Sequence, residues 1–327
     1  FKGFQIYIFP VLTYFLVRGL LHLGRDIALE SIVKCMIVSL FFVLIYNLYL
    51  TVTITFLGQD VPGWFKNMDR MENVLGWGGR SPGIFGDPHS SGLISVMGGF
   101  FILLNIDRFS FIKWKSFKKI IKAVAFVCIL LSTYRTALIV GLLSSVLFIA
   151  YATNMKTKVA VLLGALVCYL AAINLLSDNY DNEISLYVNL FIFWWKDPAR
   201  FESAVNFILL DGLKILELMI DQFSLTTIIG VGFLSTDNHY NLAEYFRTND
   251  QAWINSLQMF GLIGYAIFIY IMGFLIKLAI NVKNCDVIYL IWACVIVIMV
   301  GLISNLHSDV LKTHGITQVF YICLAIL

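Results

Sequence analysis

Stretches of close to twenty mostly apolar residues recur along this chain, near 4–22, 32–56, 88–106, 119–133, 136–154, 159–177, 251–280, 286–304 and 313–327. A helix needs about 20 such residues to cross ~30 Å of hydrocarbon, so the pattern predicts an all-α, polytopic transmembrane helix bundle of about nine spans. The 119–133 run is short for a span, and the 251–280 run is long enough to tilt. Two segments, 57–87 and 178–250, are not spans; they read as loops of a single membrane domain covering 1–327. Composition agrees with this class. The chain is 60% apolar and 13% charged, with a mean hydropathy of +0.85, whereas soluble domains carry about 25% charged residues. A soluble fold of 327 residues could not cover its surface with so few ionisable groups. The net charge of +3 is too small to point to nucleic acid. The six cysteines are scattered, with no CxxC or Cys/His cluster, so neither a disulfide framework nor a metal site is supported. The opening FKGFQIYIF enters an apolar run without a starting Met or a cleavable signal peptide, and reads as a portion of a longer chain.

Charge sets the orientation. Between 107 and 122 lie Arg108, Lys113, Lys115, Lys118, Lys119 and Lys122 against the single acid Asp107, so this connection is predicted to be cytoplasmic. Alternation then puts 57–87 and 178–250 outside. Their charges agree, because they hold 15 of the 20 acids and only 7 of the 23 lysines and arginines.

Arginine is sorted differently from lysine. Five of the eight arginines, Arg70, Arg80, Arg135, Arg200 and Arg247, fall on or beside the outer face, where topological charge should deplete them. A guanidinium grips phosphate or carboxylate as a planar fork, so an anionic ligand at the outer boundary is the first functional expectation. Pairing of these arginines with the surplus acids is the competing reading, and both stay open.

The external segments have internal order. Residues 202–220 (ESAVNFILLDGLKILELMI) place apolar residues at helical spacing, which predicts an amphipathic helix lying on the membrane or capping the bundle. Gly230-Val231-Gly232-Phe233 then breaks the helix and opens a polar stretch that leads to the 251–280 run. In 76–92, GWGGRSPGIFGDPHSSG, glycines surround Arg80, while Asp87 reads as an N-cap and Pro88 as the first helical residue. Ser132-Thr133-Tyr134-Arg135-Thr136 interrupts two apolar runs, and Arg135 there is either a buried, functional charge or an exposed turn residue. His307, Asp309, Lys312 and His314 read as a last outer connection with no metal-ligand spacing. No GxSxG, HExxH, Walker A or strand-linked GxGxxG occurs, and no cytoplasmic nucleotide domain is present in the sequence.

Taken together, these motifs resemble the O-antigen polymerase and O-antigen ligase superfamily of bacterial envelope enzymes. Asp250-Gln251, nine residues, then Gly261-Leu262-Ile263-Gly264 resembles the ligase branch's His–(Asn/Ser/Gln)–nine residues–Gly-x-x-Gly, with Asp250 in place of the histidine. Gly230-Val231-Gly232-Phe233 resembles the upstream GxG, STYRTALI at 132–139 the Ser-x-x-Arg span start, and RSPGIFGDPHSSG at 80–92 a polymerase segment. The departure at Asp250 favours the polymerase branch. The resemblance implies a GT-C-like, inverting, metal-independent glycosyltransferase without cofactors in the bacterial inner membrane, its site facing the periplasm and 178–250 forming a large periplasmic loop. Donor and acceptor would be undecaprenyl-pyrophosphate-linked glycans, with a chain-length regulator as a further partner. On that reading Asp250, or failing it His239 or Glu202, takes the acceptor hydroxyl proton. Arg80, Arg135, Arg200 and Arg247 hold the departing pyrophosphate. Competing readings are an O-antigen ligase acting on lipid A core, and a lipid-linked oligosaccharide flippase or other transporter. The transporter predicts discontinuous helices and charges near the bilayer midplane.

Overall fold

The computed structural model describes residues 2–56, 83–85, 87–107, 115–132, 135–153, 217, 221, 225–230, 252–282, 287–307 and 314–327. All secondary structure among them is helical, without a strand. The long helices are α1 (Lys2–Leu23), α2 (Arg25–Thr51), α3 (Pro88–Asn105), α4 (Lys115–Leu130) and α5 (Arg135–Ala152). After them come the short α6 (Leu225–Ile229), then α7 (Ala252–Asn281), α8 (Ile288–His307) and α9 (His314–Ile326). A helix stands at every apolar run of the sequence except 159–177, which lies outside the described residues. Among the described residues two helices are long and apolar enough to cross a membrane, Arg25–Ile54, where α2 runs on into a π-helical turn, and Gly261–Asn281 within α7.

The chain divides into two compact units, one of residues 1–152 and 272–327, the other of 153–271. In the first, α3 and α8 form the centre. Residues 292–300 of α8 are buried without interruption, from Trp292 to Val300, as are nearly all residues of α3 from Pro88 to Ile102. A helix apolar on every side has no face suited to water, and here α3 and α8 satisfy that by packing against protein. Close approach comes from small residues. A Cβ on Gly98 would stand 3.1 Å from a Leu40 methyl of α2, one on Gly99 2.5 Å from Ile129 of α4, and one on Gly141 of α5 2.6 Å from the Phe100 ring. Such notches let apolar helices pack through van der Waals contact alone. Helix α4 buries Ile121, Ala125, Cys128 and Ile129 at helical spacing and leaves Lys115 and Lys119 exposed. Aromatic rings join α5 to the start of α8, where Phe148 stacks edge-on against Tyr289 and Trp292 at 5.7 and 5.8 Å.

Packing contacts sort the helix ends of this unit onto two sides. At one end, Arg18 of α1 donates to the Ala325 carbonyl of α9, the chain turns at Gly24 from α1 into α2, and Lys122 of α4 pairs with Asp107 after α3. At the other end α2 meets the start of α3, and α4 gives way to α5. The outer helices keep large apolar side chains exposed. Phe15, Leu16, Phe42, Leu143 and Val146 are each more than half exposed.

In the second unit α6 ends at Gly230, whose φ of 81° is the left-handed turn a glycine supplies at a helix C-terminus. The 251–280 run, expected as one long tilted helix, is instead two helices meeting at Gly261, where φ is 62° and ψ −170°. Only glycine takes that backbone conformation without strain, and it ends the i→i−4 ladder there.

Candidate functional site

The polar end of the first unit is built around Asn47, a lone amide near the end of the apolar helix α2 and only 4% exposed. Its Nδ2 donates to the Ser91 carbonyl and to Ser95 Oγ, both at 3.3 Å, and its Oδ1 accepts from the Ile84 backbone N–H at 3.0 Å. One side chain thus holds the 83–85 turn and the first turns of α3 together. The turn can come this close because Gly83 lacks a side chain. Its φ is +56°, and a Cβ would meet Ser91 Oγ at 2.2 Å and Asn47 Oδ1 at 2.8 Å.

Four residues after Gly83, Asp87 caps α3. Its carboxylate accepts from the Ser90 N–H at 2.8 Å and the His89 N–H at 3.3 Å, with Pro88 at the first helical position. The capping reading of Asp87 holds. Ser132, just before α5, is buried and donates to the Gly92 carbonyl at 3.0 Å. At the same end Phe85 lies against Gly315 at the start of α9, where a Cβ would stand 2.9 Å from the ring. Of the segments RSPGIFGDPHSSG and STYRTALI, the described residues Gly92 and Ser132 are therefore bonded to one another. The GxG and GxxG motifs also meet, within the second unit. A Cβ on Gly261 would lie 2.3 Å from the Ile228 carbonyl oxygen and 2.5 Å from the Gly230 nitrogen.

Of the residues expected to act chemically, Arg135 is the first residue of α5, three positions beyond the Ser132 anchor. Arg80, Arg200, Arg247, Asp250, His239 and Glu202 lie outside the described residues. So does most of the amphipathic segment 202–220, of which Glu217 is helical and exposed. His307 ends α8 and His314 begins α9. Among the described residues no group of His, Cys, Asp and Glu could hold a metal ion. Sequence reasoning passed over Asn47. The available signal was a single amide in the charge-free part of α2 that follows Lys34, but beside Tyr46 and Tyr49 it looks like interfacial decoration.

No family model matches the chain, and neither a curated protein nor a solved structure is similar to it at a significant level.

Proposed function

We propose that this chain is a bundle of about nine membrane spans that polymerises lipid-pyrophosphate-linked oligosaccharide repeat units at the outer face of a bacterial inner membrane. The fastening of the Arg80 and Arg135 segments to one end of one helical unit carries this reading, through Ser132 to the Gly92 carbonyl and through Asn47 to Ile84 and Ser91. An arginine clamp needs its two chain segments held at fixed separation, because a bidentate fork tolerates little misplacement. The lysines of α4 lie at the opposite end, as expected if that end is cytoplasmic. The exposed apolar faces of α1, α2 and α5 suit contact with acyl chains, since such patches are rarely left to water. The acceptor hydroxyl would attack the anomeric carbon of the donor glycan. Its proton passes to a carboxylate or imidazole, for which Asp250 is the first choice and His239 and Glu202 the next. The lipid pyrophosphate departs against Arg80, Arg135, Arg200 and Arg247.

The break at Gly261 bears on the transporter reading. A transporter places helix breaks near the bilayer midplane, whereas here the 21-residue apolar helix Gly261–Asn281 starts at the break itself, enough for a full crossing. The break therefore falls at the mouth of that span.

Purified protein incubated with undecaprenyl-pyrophosphate-linked repeat units should give a ladder of products on a gel. Transfer of a single glycan to lipid A core without a ladder would identify a ligase, and vesicle translocation without new glycosidic bonds a transporter. In the same assay Asp250→Asn should lower turnover by roughly 10²–10⁴-fold if Asp250 is the base. It should leave turnover near normal if Asp250 only caps α7, because Asn caps almost as well.

A further inference from the structure

The end of the first unit opposite Asn47 contains a cleft of about 360 Å³ lined by Arg18, Leu21, His22, Arg25, Leu29 and the α9 residues Ile326 and Leu327. That volume is in the range of small-molecule sites. Three of the lining side chains are cationic or can become so, and they come from both sides of the α1–α2 turn. Arg18 is steadied from within, donating through Nη1 to the Ala325 carbonyl at 3.0 Å. That contact neutralises nothing. Among the described residues neither His22 nor Arg25 has an ion-pair partner, and the nearby acid Glu30 is already taken by Lys34 at 2.6 Å. Asp26 is exposed on the same turn. The first turn of α2 has no side-chain cap at Gly24, and its acid Asp26 offsets the positive potential of its N–H groups, so the arginines carry the charge of the cleft.

Beside these charges stand large apolar side chains in the open, Leu23 at 86% exposure and Ile27 at 81%. A cation cluster over an apolar ledge has the chemistry of an amphiphile's binding place. We infer that this cleft binds the phosphate headgroup of an anionic glycerophospholipid of the cytoplasmic leaflet. The phosphodiester sits between Arg18, His22 and Arg25, and the acyl chains run along Leu23 and Ile27. Basic pockets between helices at the cytoplasmic boundary take anionic headgroups by this charge pairing. The inference rests on the reading that the unit spans a bilayer, and it assigns the inner arginines a role distinct from that of the outer ones.

The test compares wild type with Arg25→Gln, Arg18→Gln and the double variant. Each is reconstituted into vesicles of dioleoyl-phosphatidylcholine, with or without dioleoyl-phosphatidylglycerol, and retained lipid is counted by native mass spectrometry after detergent extraction. Wild type should retain phosphatidylglycerol in preference to phosphatidylcholine. The preference should fall about 5-fold for each arginine removed and about 30-fold for both. Among the described residues Arg25 makes no hydrogen bond that joins helices, so Arg25→Gln keeps the test valid should Arg18→Gln fail to fold. Equal retention of the two lipids by wild type, or an unchanged preference in Arg25→Gln and the double variant, overturns the proposal. Displacement of the lipid by millimolar inorganic phosphate would overturn it too, by showing a site for the free anion. Failure of the membrane reading looks different: the protein would not float with pure phosphatidylcholine vesicles, whereas protein that floats with them yet shows no lipid preference refutes the cleft assignment alone.

Discussion

Helices α7 and α8 are nearly indistinguishable as sequence and opposite as structure. Gly261–Asn281 and Ile288–Ser304 are both strongly apolar, with Lys277 as the one charge between them. Yet only 11% of the α7 span is buried, and Ile263, Ile267, Ile269 and Phe274 stand exposed, while α8 is enclosed from Trp292 to Val300. Hydropathy records that a helix leaves water and is silent on whether protein or lipid replaces it. The neighbours decide. Helix α8 lies among α3, α5 and α9, and the notches at Gly98, Gly99 and Gly141 draw α2, α4 and α5 in around α3. Gly273 of α7, by contrast, has nothing within 4 Å of where a Cβ would be.

The contrast breaks or holds under matched substitutions, read as thermal unfolding in detergent. Trp292→Ala should cost about 3–5 kcal/mol by opening a cavity at the centre of the bundle. Its partner Ile269→Ala, 66% exposed, should stay within about 0.5 kcal/mol. Equal losses would mean that α7 is packed as tightly as α8. Next in size are the two glycines. Gly99→Ala forces a methyl to 2.5 Å from Ile129 and 3.0 Å from the Ala125 carbonyl oxygen, so melting should drop by the equivalent of about 1–3 kcal/mol. Gly273→Ala should be neutral or stabilising by up to about 1 kcal/mol, the helix preference of Ala over Gly. Asn47→Leu should cost about 1–3 kcal/mol, because the buried Ser91 carbonyl and Ser95 hydroxyl lose a donor and the part-buried Ile84 N–H loses its acceptor. Amide exchange at Ile84 should speed up with it, and an unchanged exchange rate would show that another group has taken over. The smallest effect is expected from Asp87→Ala, about 1 kcal/mol for a lost N-cap, seen as fraying of α3 at His89 and Ser90.

Much of the helical layout was legible in the sequence because apolar runs of fixed length are a direct consequence of backbone hydrogen bonding away from water. The start of α3 was legible to the residue, since Asp87-Pro88 has one obvious local use. The inside–outside order of the helices was not, because it depends on small residues whose partners are distant in sequence: Gly98 faces Leu40, and Gly99 faces Ile129. The break at Gly261 was also hidden. Glycine hardly alters a hydropathy window, and what fixes its conformation is the Ile228–Gly230 backbone, some thirty positions earlier. Of the site, the mutual attachment of the two arginine segments required Asn47 and Ser132, polar residues that sequence reading assigns to no chemistry. The residues expected to react, Asp250, His239, Glu202 and all the outer arginines but Arg135, lie outside the described residues.

The Asn47 clasp also sets an order of events during synthesis. Its three partners, Ile84, Ser91 and Ser95, follow it by 37, 44 and 48 residues. Helix α2 therefore leaves the ribosome with an amide that nothing yet made can satisfy, and it becomes self-sufficient only when α3 arrives beside it. Docking of α3 then supplies the Ser91 and Ser95 partners together. A single asparagine thus ties the completion of α2 to the arrival of α3.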